Sequence, residues 1–133
     1  MKKIAWITTN RVLAQSIAAL VGQYQDLEFE SYLLLNLRQA VLDAEVLGID
    51  IAVVEMRGGT QEYAQSVREL CESLRRTVPD CSILLLVQQD SREARDMAMQ
   101  TVADRNADDY AFSDVSLDYL LAKLLSLKTT RNG

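Results

Sequence analysis

The sequence predicts an α/β fold in which five strands alternate with five helices and form one doubly wound parallel sheet. Short apolar runs alternate along the chain with longer segments whose apolar residues recur every three or four positions. The run from Ile83 to Val87 is continuously apolar, as expected of a central parallel strand that helices cover on both faces. This alternation is typical of right-handed βαβ units.

Five apolar runs bounded by polar or turn-forming residues predict the strands. The second run begins where Phe29 stands between Glu28 and Glu30, and the only proline, Pro79, precedes the fourth run. In chain order the predicted strands are 4–7, 27–35, 49–54, 82–87 and 109–112.

Helical spacing follows each predicted strand. The first helix carries apolar residues from Val12 to Val21, and Gly48 is placed to end the second. Polar residues with side-chain oxygens precede the other periodic segments and are candidate N-caps. The remaining helices are predicted over 36–47, from 60 toward Pro79, 91–103 and from 116 into the 120s, with Asn36, Thr60, Ser91 and Ser116 as their N-caps.

Composition indicates one soluble domain over 1–127 and a polar C-terminal tail over 128–133. The 133 residues are 49% hydrophobic, and the net charge of -5 opposes binding to nucleic acid or to an anionic membrane. Histidine is absent, which excludes His-based catalysis and Cys/His zinc sites. The two cysteines, Cys71 and Cys81, are expected to be reduced, and the basic N-terminus lacks the apolar run of a signal peptide. We therefore expect a cytoplasmic protein.

A sheet in the flavodoxin-like strand order 2-1-3-4-5 binds ligands outside the carboxyl ends of its strands. A site is therefore expected in the loops after strands one, three, four and five. The candidate residues there are Thr8, Thr9, Asn10, Glu55, Arg57, Val87, Gln88 and Ser113.

The segment from Asn106 to Lys123, NADDYAFSDVSLDYLLAK, resembles the last part of a response-regulator receiver domain (CheY-like), whose pattern there is GADDYLxKPFSLDELLAR. The strand from Asp50 to Arg57, DIAVVEMR, is similar to the receiver pattern DxVLxDxR. The resemblance extends from about Lys3 to Leu125. It implies the same fold and a role in two-component signal transduction, as in a phosphorelay.

The residues that give receivers their chemistry are replaced at the matching positions. Receivers carry an acidic pair that holds Mg²⁺, a phosphorylated Asp, a Ser or Thr that senses the phosphoryl group, and a Lys that binds it. One carboxylate with hydroxyl groups is a poor Mg²⁺ site, and no cation balances a phosphoryl charge. We therefore expect an atypical pseudo-receiver with no phosphorylation, metal, cofactor or catalytic residue at the degenerate positions, Thr8, Thr9, Glu55, Val87 and Ser113.

Three residues near this site have two interpretations each. The Glu55 carboxylate either imitates the negative charge of the phosphorylated state permanently, or Glu55 is an ordinary acidic residue at the end of a strand. Arg57 either pairs with Glu55 or is a solvated loop arginine. Tyr110 matches the aromatic switch position of receivers, or it packs beside the fourth helix without switching.

The leading functional hypothesis is a non-enzymatic module that binds protein partners through helix four, strand five and helix five. One alternative is a dimerisation or regulatory domain of a larger transcriptional response regulator, in which the same face forms a homodimer. The other is a flavodoxin-like cofactor carrier in which Thr8, Thr9 and Asn10 bind a phosphate, although capping of the first helix explains these residues better.

Overall fold

The structure is a computed structural model that describes residues 2–23 and 29–131 of the 133-residue chain. The first two residues predicted for the second strand, Leu27 and Glu28, lie outside the described residues. The same holds for the last two residues of the predicted tail.

Five parallel strands form one sheet in the order β2-β1-β3-β4-β5. This order and the alternation of strands with helices confirm the predicted flavodoxin-like, doubly wound architecture. The strands are β1 Lys2–Ile7, β2 Phe29–Leu34, β3 Ile51–Met56, β4 Ser82–Val87 and β5 Asp109–Phe112.

One helix follows each strand, and side chains cap most of the helix N-termini. The Thr60 and Ser91 hydroxyls accept hydrogen bonds from the amides of Tyr63 (3.1 Å) and Ala94 (3.2 Å), as the sequence predicts. None of the described helices is long and apolar enough to cross a bilayer. The helices are α1 Arg11–Gly22, α2 Ala40–Leu47, α3 Gln61–Thr77, α4 Arg92–Ala103 and α5 Leu117–Arg131.

Two predicted helix boundaries are wrong. The second helix begins at Ala40, because the Asn36 side chain accepts a hydrogen bond from the Arg38 amide (3.0 Å) and forms a turn instead of an N-cap. The last helix continues through Arg131, so that 128–131 are helical although the sequence analysis places them in a tail. Lysine and arginine are good helix formers, and a helix C-terminus favours positive charge.

Alternate residues of each inner strand point to opposite faces of the sheet. On β3, Ala52 and Val54 belong to the core under α2, α3 and α4, whereas Ile51 and Val53 belong to the core under α1 and α5. Both faces are therefore covered, which explains the continuously apolar strands.

Both cysteine thiols are free and buried in the core under α2, α3 and α4. Burial raises the pKa of Cys71 and of Cys81 to about 12 in each case. A thiol that stays protonated is a poor nucleophile, so these two side chains are packing residues.

Carboxylates accept hydrogen bonds from strand amides at the amino-terminal edge of the sheet. Asp50 Oδ2 accepts from the Lys3 amide (2.9 Å), and Asp108 Oδ2 accepts from the Ile83 amide (2.8 Å). The Arg75 guanidinium lies 3.1 Å from the same Asp108 oxygen. This edge is held by acids that each have a defined donor.

Candidate functional site

The strand register brings the predicted site residues to the carboxyl edge of the sheet. Glu55 lies beside Leu86, and Met56 lies beside Val87, where β3 and β4 end together. The Ser113 amide donates to the Val87 carbonyl (2.8 Å), which places the β5–α5 loop at the same edge. The structure therefore places the loops after β1, β3, β4 and β5 in one region.

A side-chain hydrogen bond in this region joins Thr8 to Glu55. Thr8 Oγ1 donates to Glu55 Oε1 (2.5 Å) and accepts from the Asn10 amide (2.9 Å). The Thr8 side chain is buried, and Glu55 is half-buried. This chain of two hydrogen bonds fixes the Glu55 carboxylate to the loop between β1 and α1.

The β1–α1 loop uses its polar groups to start α1. Asn10 Oδ1 accepts from the Leu13 amide (3.0 Å), and the Asn10 amide is already bonded to Thr8. These bonds are those of an N-cap. They support the capping interpretation of Thr8 and Asn10 over a phosphate-binding one, whereas Thr9 is exposed.

Arg57 does not occupy the position predicted for a charge pair. Its guanidinium carbon lies 4.8 Å from the centroid of the Tyr63 ring, and within the described residues it makes no ion pair with Glu55. The Glu55 carboxylate faces Thr8 instead. The half-buried Tyr63 ring offers the cation a π face at the start of α3, so Arg57 contacts Tyr63 where one of its two interpretations placed a pair with Glu55.

Tyr63 is a site residue that the sequence analysis missed. Its hydroxyl donates to the Glu55 backbone carbonyl at 3.5 Å, a long hydrogen bond. Burial raises the pKa of Tyr63, the Glu55 carboxylate adds to the rise, and the Arg57 guanidinium opposes it. The signal that could have found it is an aromatic residue in the first turn of the helix that follows the Glu55 strand.

The loops after β3 and β4 contact each other directly. Gln88 Oε1 accepts a hydrogen bond from the Gly58 amide (2.6 Å). A Cβ at Gly58 would lie 2.7 Å from Ser91 Cβ, closer than carbon atoms pack. Gln88 is one of the residues that the sequence predicts at this edge.

The remaining two degenerate positions differ in exposure. Val87 is fully buried and presents only methyl groups, whereas Ser113 is exposed. Ser113 borders an open cleft of about 520 Å³ whose other lining residues are polar or acidic. No cationic side chain lines this cleft, which is formed by Gln88, Gln89, Asp90, Ser113 and Asp114.

Tyr110 lies away from Glu55, on the β5 edge of the sheet. It is half-buried, and its ring packs edge to face against Phe112, with ring centroids 5.8 Å apart. Both rings pack against the core under α2, α3 and α4. This environment is that of a packed strand aromatic.

The side chains at this edge do not fit Mg²⁺. That ion favours an octahedral shell of hard oxygens, usually including carboxylates. Glu55 is the one acid among the degenerate positions, and one of its oxygens is bonded to Thr8. Within the described residues, no group of three or more His, Cys, Asp and Glu side chains is arranged to hold a metal.

The strand order and the position of the site define a doubly wound sheet with a site at its carboxyl edge, and comparison with solved structures shows that this fold is the one found in receiver domains. A CheY-like receiver domain from Methanospirillum hungatei JF-1 aligns over 99% of this chain and 97% of its own, with a TM-score of 0.78 and 14% identity. A two-component response regulator from Clostridium difficile aligns over 100% of both chains, with a TM-score of 0.77 and 17% identity.

A response regulator from Thermotoga maritima aligns over 96% of this chain and 97% of its own, with a TM-score of 0.75 and 17% identity. No family model and no curated protein matches the sequence. The chain therefore has the fold of response-regulator receiver domains, as the resemblance in its sequence predicts.

Proposed function

We propose that this chain is a cytoplasmic, receiver-like signalling module that acts by binding protein partners, without catalysis, phosphorylation or Mg²⁺. The observation that carries the proposal is the environment of Glu55. Its carboxylate takes the place of the phosphorylated Asp and accepts a hydrogen bond from the buried Thr8 hydroxyl. The Thr8 hydroxyl therefore holds the Glu55 carboxylate against the loop that follows β1.

The replaced partners support the same conclusion. Phosphoryl transfer depends on cationic groups that stabilise the charge spreading over the transferred oxygens. At the matching positions this chain offers the methyl groups of Val87 and the neutral hydroxyl of Ser113. Arg57, the nearest loop cation in sequence, packs on Tyr63.

The partner surface that we propose is formed by α4, β5 and α5. Between β5 and α5 lies a groove of about 200 Å³, lined by aromatic residues and by the ion pair of Lys123 Nζ with Asp109 Oδ2 (2.6 Å). Tyr119 is 48% exposed beside this groove, and Met99 is 55% exposed on α4. Exposed aromatic and methionine side chains are typical of protein-binding surfaces.

Absence of phosphoryl chemistry is tested with beryllofluoride and Mg²⁺. The only tryptophan, Trp6, borders a small cavity that Glu55 and Thr8 also line, so its fluorescence reports this site. We expect the emission to stay unchanged at millimolar reagent, while a receiver that accepts beryllofluoride responds in parallel. A stoichiometric change in Trp6 emission would contradict the proposal.

The partner surface is tested by affinity capture from the native cell with matched bait variants. Tyr119→Ser and Lys123→Glu should reduce recovery of any specific partner. Val12→Ser is the control, because Val12 is 72% exposed on α1 and lies outside the proposed surface. Equal loss with Val12→Ser, or no loss with the two α5 variants, would argue against this surface.

A homodimer through the same surface is the second candidate, as in a regulatory domain of a larger transcriptional response regulator. Exposure of both Tyr119 and Met99 favours it. Light scattering across protein concentration separates the two possibilities. A dimer that Tyr119→Ser dissociates would favour self-association, and a monomer at all concentrations would exclude it.

A further inference from the structure

We propose that Gln88, Gly58 and Ser91 form a clasp that makes the β3–α3 loop and the start of α4 move as one unit. The clasp would transmit a displacement of the Glu55 end of β3 to α4 without a phosphoryl group. The inference relies on the proposed function only in that α4 belongs to the proposed partner surface. Its tests use the free protein and need no partner.

Gln88 is bonded to three different segments. Its amide donates to the carbonyl of Met56, the last residue of β3 (3.1 Å), and its side-chain oxygen accepts from the Gly58 amide (2.6 Å). Its own carbonyl accepts from the Ser91 amide (3.3 Å), directly before α4. One residue therefore joins the end of β3, the loop that follows it and the beginning of α4.

Steric contact tightens the same junction. A Cβ at Gly58 would lie 2.7 Å from Ser91 Cβ and 2.8 Å from Ser91 Oγ. Ser91 has little freedom to retreat, because it is buried and its hydroxyl caps α4 through the Ala94 amide. Gly58 therefore has no room for a side chain, whereas Gly59 has a φ of +128°, a backbone conformation that favours glycine.

The clasp lies close enough to Glu55 to respond to it. Gly58 follows Glu55 by three residues in an uninterrupted backbone, and Glu55 is fixed to β1 through Thr8. On the other side, the first turn of α4 is anchored by the buried Ala94. A change at Thr8 or Glu55 therefore reaches α4 through three residues and one side-chain hydrogen bond.

Amide hydrogen exchange measures whether the Gln88 bond forms. In Gln88→Leu the Gly58 amide loses its acceptor, so its exchange should accelerate about fivefold, as expected for loss of one hydrogen bond. Gln88→Glu keeps an acceptor oxygen and should preserve protection, and Gln89→Leu is the neighbouring control. Equal exchange at Gly58 in Gln88→Leu and Gln89→Leu would overturn the clasp.

Coupling is measured by introducing Thr8→Val, which removes the donor to Glu55, and recording amide chemical shifts along α4. We expect shift changes in the first turn of α4 that fall by half or more when Gln88→Leu is also present. Shift changes of the same size in both backgrounds would show that the coupling bypasses Gln88 and would refute the proposal. Neither result alters the test of the partner surface with Tyr119 variants.

Glycine substitutions provide an independent test. Gly58→Ala should displace the amides from Ser91 to Ala94, whereas Gly22→Ala should leave them unchanged, because no atom lies within 4 Å of a Cβ at Gly22. Wild-type shifts in folded Gly58→Ala would contradict the steric part of the clasp. If Gly58→Ala does not fold, the Gln88 variants decide the proposal alone.

Discussion

The two edges of the sheet use acidic side chains in opposite ways. At the amino-terminal edge, Asp108 accepts from a strand amide and pairs with Arg75. At the carboxyl edge, Glu55 is bonded to the neutral hydroxyl of Thr8, and the nearby cation, Arg57, packs on an aromatic ring. Asp108 thus has both an amide donor and a cationic partner, whereas Glu55 has one neutral donor at the edge where function is expected.

We expect the greatest loss of stability from a substitution at the amino-terminal edge. Asp108→Ala leaves the buried Ile83 amide without its side-chain acceptor and removes the partner of Arg75, so we expect a loss of about 2 kcal/mol in the free energy of unfolding. Urea denaturation measures it, with Asp80→Ala, at an exposed position, as the control. Equal urea denaturation midpoints for Asp108→Ala and Asp80→Ala would show that Asp108 does not stabilise the amino-terminal edge.

A smaller effect is expected at Glu55. Glu55→Leu deprives the buried Thr8 hydroxyl of its acceptor and should lower stability by about 1 kcal/mol. Glu55→Gln keeps an oxygen in place and should change stability by only a few tenths of that amount. The same denaturation experiment compares them. If Glu55→Gln proved as damaging as Asp108→Ala, the charge of Glu55 would have an unrecognised structural partner.

The contact between Arg57 and Tyr63 should have a coupling energy of about 0.5 kcal/mol, the range of exposed cation–π pairs. A double-mutant cycle of Arg57→Ala and Tyr63→Leu measures it. The matched cycle of Arg57→Ala with Glu55→Gln should give a smaller coupling. A larger coupling in the Glu55 cycle would restore the charge pair that the sequence analysis considered.

The smallest effect is expected at alkaline pH. Tyr63 has a pKa raised above its unfolded value of 10.0, so its contribution to stability is complete below pH 10 and is lost as pH rises through the folded pKa. Absorbance titration of the phenols should show a late step whose amplitude Tyr63→Phe reduces, while Tyr32, whose pKa is also raised, still contributes to it. Loss of amplitude from the early step alone in Tyr63→Phe would show that Tyr63 ionises with ordinary tyrosines.

Much of the fold was predictable because burial imposes a readable pattern on strands and helices. A continuously apolar run such as Ile83 to Val87 is typical of a parallel strand covered on both faces. The loops that follow parallel strands all lie at the same edge of the sheet. The start of α2 was missed because Asn36 has two competing roles, as a helix cap and in a turn. The structure places it in the turn, bonded to the Arg38 amide.

The residues that form the site were predictable, but the contacts between their side chains were not. Positions such as Thr8 and Glu55 follow from where strands end. The direction of a long side chain depends on which neighbours folding brings close, and Arg57 lies on Tyr63, six residues further along the chain. The clasp at Gly58 was likewise hidden, because its partner Gln88 lies thirty residues away.

The position of β1 has a consequence for how the chain folds. The first strand is an inner strand, flanked by β2 and β3, so both of its edges stay unpaired until later segments arrive. Every strand pair in this sheet is parallel, and its two strands are separated along the chain by at least one helix. Such pairs form more slowly than a hairpin because a longer stretch of chain must be ordered first. During synthesis the amino-terminal half can complete both sides of β1, and β5 is added last at the rim.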